Sequence, residues 1–162
     1  MAVCADYNLT SSDGSTAKFG LGDEAEFGGA RYKYVKASGS IAAYAACHIT
    51  AAGLAIQATT TLVGTAARPT GICIPQFAMA SGDYGWAPVG PFMLREDGVT
   101  TFKVLAANAA TSVRLYTTAT DGVLDDAVTT GLIAGLALTE TVTTQEAADC
   151  VAVTRLVSFC EL

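Results

Sequence analysis

Polar and apolar residues alternate most cleanly at Arg31-Tyr32-Lys33-Tyr34-Val35-Lys36, where charge and side-chain bulk exchange position by position. A period of two places the rings on one face of a half-buried strand. The period recurs at Thr100 to Leu105, where Phe102 and Val104 share a face opposite Lys103. It recurs again at Ser112 to Thr117, where Val113 and Leu115 oppose Arg114 and Tyr116, and the pattern leaves open which pair faces inward. Gly82 to Pro91 reads as a short aromatic strand between two turn signals, with Tyr84 and Trp86 on one side. Gly85 bares the other side for a close backbone approach, and Pro88 marks an edge or the end of regular pairing. Thr59 to Val63, Ile72 to Ile74, Gly131 to Thr139 (with a bulge or close approach at Gly135) and Cys150 to Cys160 complete the predicted strands. In the last of them Val151, Val153, Val157 and Phe159 line one face. Ile41 to Ile49 fits helix or strand, and Glu140 to Asp149 has room for one helical turn around Gln145 to Ala148.

Short strands, frequent Gly and Thr, and no long amphipathic helix predict an all-β fold, a small antiparallel β-barrel or sandwich. Residues 1–29 differ from the rest. Polar turns and glycines separate the single apolar residues Tyr7, Leu9, Phe19, Leu21 and Phe27. Such a stretch does not bury enough apolar surface to order itself alone. The expected organisation is an irregular, extended N-terminal arm (1–29) and a single β-rich domain (30–162). The arm docks on its own domain or on a neighbouring subunit, and the sequence does not choose between them.

Composition changes the picture in one respect. Charged residues make up 15% of the 162 residues, and between Lys36 and Asp83 the sole full charge is Arg68. A typical soluble chain carries about a quarter. Ser, Thr, His48 and Gln57 break that stretch too often for a membrane helix, so buried or interface surface is expected, and with it an oligomer or a larger assembly. The net charge of −6 argues against direct nucleic-acid binding and against basic attachment to a membrane. Met1 to Asp6 lacks the basic-then-apolar pattern of an export signal. The cysteines, Cys4, Cys47, Cys73, Cys150 and Cys160, are odd in number and widely spaced. Neither a zinc site nor a redox motif is expected, and free thiols are the default.

Candidate chemistry is thin. Cys47 and His48 are neighbours, so on a strand they point to opposite faces, which spoils a thiol–imidazole pair. Asp23-Glu24 with Glu26, Glu96-Asp97 and Asp125-Asp126 sit beside glycine turns, where solvated acids are ordinary. Asp125-Asp126 remains as a weak calcium alternative. No nucleophile elbow, Walker loop or dinucleotide fingerprint occurs. No catalytic, cofactor-binding or metal residue is assigned, and an enzyme is not expected. Tyr84 and Trp86 suit either a binding surface, stacked on a sugar or a protein partner, or the domain's own core.

Four segments carry a resemblance. Arg31 to Ile41 is followed by Tyr84-Gly85-Trp86-Ala87-Pro88-Val89-Gly90-Pro91, and then by Leu115-Tyr116 and Asp121-Gly122-Val123-Leu124-Asp125-Asp126. That order resembles the decoration, or cement, proteins of tailed-bacteriophage heads, over about Ala30 to Cys160. The resemblance implies a structural virion protein on the capsid exterior, assembled in the host cytoplasm. It also implies a homotrimer that clamps adjoining major capsid subunits. Tyr7, Leu9, Phe19, Leu21 and Phe27 of the arm, with Tyr84 and Trp86, are the candidate partner-interface residues. The alternative is a carbohydrate-binding β-sandwich of the adhesion or receptor-binding kind, which predicts exposed Tyr84 and Trp86.

Overall fold

The computed structural model describes residues 7–27, 30–61, 71–89, 102–128, 131–133, 136–138, 141–143 and 151–153. The named elements are all strands: β1 (Glu24–Phe27), β2 (Ala30–Ala37), β3 (Cys47–Ile49), β4 (Leu54–Gln57), β5 (Ile72–Cys73), β6 (Tyr84–Pro88), β7 (Phe102–Lys103), β8 (Leu115–Thr117), β9 (Leu124–Asp125), β10 (Leu132–Ile133), β11 (Ala137–Leu138) and β12 (Val151–Val153). The protein is all-β.

The main sheet runs β1-β2-β4-β3-β5, with β6 on the other edge of β2. It curls until its ends touch. A bridge joins Cys73 to Val89, and the Ile74 N–H donates to the Pro88 carbonyl at 3.1 Å. The pairing is not uniformly antiparallel, because β2 and β4 run parallel at Lys36↔Leu54 and Ala37↔Ala55. The cause is local. A tight turn at Thr50 to Gly53, with Gly53 at φ +78°, folds β4 back against β3 and inserts it beside β2.

The β2–β6 ladder, with Tyr34 opposite Trp86 and Val35 opposite Gly85, is a wall between two cores. Val35, Ala37 and Ala87 face inward with Cys47, Ala55 and Cys73, filling the curled sheet with small side chains. Tyr32, Tyr34 and Trp86 face outward and pack with Phe102, Leu115, Leu124, Ile133 and Leu138 of the remaining sheets. Each large side chain so buried contributes about 1.5–3 kcal/mol. On the inward face of β2, Arg31 and Lys33 lie across from Glu26 and Glu24 of β1, before Val35 and Ala37 enter the barrel. Alternation alone does not show that change of surroundings.

Two smaller sheets, β10-β8-β9 and β11-β12-β7, cover the outer face. They are tied to the barrel by backbone. Gly122, in the β8–β9 turn, accepts from the Ala46 N–H at 3.0 Å and donates to the Ala58 carbonyl at 2.8 Å. Gln76 acts as a surrogate strand for β7: its Oε1 accepts from the Lys103 N–H, and its Nε2 donates to the Lys103 and Ile74 carbonyls. Tyr44, at φ +66°, is held in a conformation costly for a bulky residue. Its N–H donates to Pro75, and its carbonyl accepts from Leu105.

Several expectations change. Gly85 admits the Phe77 ring rather than a backbone, since a Cβ there would lie 2.9 Å from Phe77 Cζ. Thr60 and Thr61 have helical backbone, not strand, and the rest of that segment lies outside the described residues. Gly131 to Thr139 holds two short strands in different sheets, β10 and β11, with Gly135 outside the described residues. Ile41 to Ile49 contributes strand only at β3. Of Cys150 to Cys160, only β12 lies among the described residues, and the helical turn at Gln145 to Ala148 lies outside them. The described part of the charge-poor middle supplies Ile41, Ala45, Cys47, Ile49, Ala55 and Met79 to the inner core, the buried location expected for uncharged residues.

Candidate interaction surface

The candidate interface residues converge on the outer face of the wall. Trp86 is 2% exposed, with Tyr34 beside it at a centroid distance of 5.1 Å. Tyr7 and Phe19 both meet Trp86 edge-on at 5.1 Å and stack on each other at 5.1 Å. Phe27 meets Tyr7 at 4.5 Å and Tyr32 at 5.8 Å. Such pairs add about 0.5–1.5 kcal/mol each beyond their area. Leu9 also packs against this core, whereas Leu21 stays 42% exposed above Gly53. Tyr84 is half-buried, stacked on Tyr34 at 6.0 Å, with Lys36 Nζ 5.1 Å from its ring centre.

The described part of the stretch expected as an irregular arm, residues 7–27, is thus laid across its own domain, and Glu24–Phe27 form β1. Backbone hydrogen bonds fix the path: Asp13 N–H to the Tyr84 carbonyl, Tyr84 N–H to Gly14, Gly22 N–H to Tyr34 and Tyr34 N–H to Asp23. Beneath it lies a polar node that the sequence did not advertise, because Asp13-Gly14 reads only as a turn. The Asp13 side chain is 1% exposed, accepts the Tyr34 hydroxyl at 2.9 Å, and pairs with Lys18 Nζ at 2.7 Å. Burial, with a further push from Asp13 against a downward pull from the Lys18 N–H, raises the Tyr34 hydroxyl to about 12. At the rim, hydrogen bonds from Arg31 and then Lys33 hold the Glu24 carboxyl below its ordinary value.

A sugar reaching Trp86 would first have to displace Tyr7 and Phe19. The Trp86 Nε1–H finds no acceptor among the described residues. Elsewhere the polar side chains hold backbone. Asp126 accepts from the Ala110 N–H, Asp125 from the Asp126 N–H, and Asp83 from Ala80 N–H and the Ser12 hydroxyl. No group of three or more metal-ligating side chains occurs among the described residues. Cys47 faces the inner core while His48 is half-buried on the other face, its pKa lowered by desolvation. Glu96-Asp97 lies outside the described residues. No helix among the described residues is long and apolar enough to cross a membrane. Comparison with protein-family models, with curated proteins and with solved structures finds no match.

Proposed function

We propose that this chain is a structural virion protein that binds the outside of a tailed-phage head and clamps major capsid subunits, acting as a trimer. What supports the reading is the way the segments behind the resemblance meet. Arg31 to Ala37 and Tyr84 to Pro88 are the two strands of the wall, with Tyr34 opposite Trp86. The Asp121-Gly122 turn is seated against the same barrel, at Ala46 and Ala58. These three segments therefore form one connected mechanical unit. A clamp requires a stiff body and many modest contacts repeated by symmetry, with no reacting group. The exposed Leu21 on the arm is one side chain available for such a contact.

The test is the solution mass of the purified protein by light scattering, followed by sedimentation with and without expanded capsid shells. A trimer that cosediments with the shells is the expected result. A monomer that stays in the supernatant overturns the proposal. Glycan binding would then be sought through quenching of Trp86 fluorescence.

A further inference from the structure

Free thiols with no redox motif are the expectation for the cysteines, but the fold sets Cys47 and Cys73 directly opposite each other in the β3–β5 ladder. Two residues along, the Ile49 N–H donates to the Gly71 carbonyl at 2.9 Å. By alternation, Cys47 and Cys73 form a hydrogen-bonded pair, a class with Cα atoms about 5.5 Å apart. Disulfides span about 4.4–6.8 Å between Cα atoms. Both side chains are fully buried, both point into the inner core, and both thiols are free. The neighbouring Cys73 thiol, and then burial, push the Cys47 thiol well above its ordinary value, and the Cys47 thiol donates to the Ala45 carbonyl at 3.5 Å.

We propose that Cys47 and Cys73 are a reversible dithiol–disulfide pair that latches β3 to β5 inside the barrel. The step balances with a peroxide as oxidant. One cysteine sulfur attacks the O–O bond, giving a sulfenic acid and a first water, and the second thiol then displaces the hydroxyl as a second water. Two thiols are oxidised to one disulfide while one peroxide is reduced. A thiol reductant reverses the bond by exchange. The latch lies beside the barrel's closure, since Cys73 also forms the bridge to Val89 of the β6 segment. In a glutathione-buffered interior the pair stays reduced, and in an oxidising exterior it closes. This inference is independent of what the protein binds.

The test uses the full-length protein, treated with hydrogen peroxide or with dithiothreitol, then unfolded, alkylated, digested and weighed by mass spectrometry. After peroxide, Cys47 and Cys73 are expected to escape alkylation and to appear in one linked peptide, two hydrogens lighter than its parts. Dithiothreitol should return both to the alkylated pool. The latched protein should melt about 5–10 °C higher than the reduced one, a gain absent from Cys73→Ser. Full alkylation of both residues after peroxide, or linkage to Cys4, Cys150 or Cys160 instead, overturns the proposal. So does a disulfide that leaves the melting temperature unmoved.

Discussion

Gly14 and Gly122 share one backbone conformation, φ +75° in each, but not one environment. A Cβ on Gly14 would meet nothing within 4 Å, whereas one on Gly122 would lie 2.6 Å from Ala45 Cβ. Gly14→Ala should therefore cost only the left-handed strain, about 1–2 kcal/mol. Gly122→Ala should cost that plus about 1–3 kcal/mol of overlap, because the second sheet must lift from the barrel. Urea midpoints at unchanged slope give the comparison. Equal losses would mean that the Ala45 contact does not matter. Tyr34 supplies a pH signature at the same scale. Its hydroxyl is raised from 10.0 to about 12 in the folded chain, so the stability it contributes is complete below pH 10. That stability drains away as pH rises toward 12, because the unfolded chain releases the proton first. Tyr34→Phe should lose about 1–3 kcal/mol at neutral pH, leaving Asp13 short of a donor, and should flatten the alkaline decline. Denaturant titrations at several pH values check both, and an unaltered alkaline slope would remove Tyr34 from the account.

At the scale of elements, the arm is a cover. Removing residues 1–27 takes away Tyr7, Phe19 and Phe27, and with them the roof of Trp86. The truncated protein should emit further to the red, become open to acrylamide quenching, and lose several kcal/mol of stability, as expected when buried aromatic area is exposed. Unchanged emission would mean that Trp86 is shielded by something else. The existence of these strands was legible where period two was strong. Arg31 to Lys36 and the Tyr84 strand lie where the pattern places them, and of Thr100 to Leu105, Phe102 and Lys103 form strand. The helical backbone of Thr60 and Thr61 was not legible, because β-branched propensity is context-dependent and points to strand. The parallel β2–β4 pairing was also hidden, being a property of the route from β2 to β3 and not of either strand.

At the scale of the molecule, low charge was read as covered surface, and much of it is covered by the protein itself. A second core accounts for this, since the wall strands between the two cores carry buried apolar residues on both faces. That β2 and β6 would pair, with Tyr34 opposite Trp86, depends on contacts far apart in sequence, which local pattern does not record. The Cys47–Cys73 and Asp13–Tyr34 encounters were hidden for the same reason.

The two-faced wall also makes mispairing self-evident to the chain. A slip of β2 by one residue would exchange its faces, pressing Tyr34 into an interior sized for Val35 and Ala37 and leaving the outer rings without their partner. A strand with one wet face has a forgiving side, but where Val35 and Ala37 enter the barrel an error on either side is an error in a packed core. Register is therefore proofread twice.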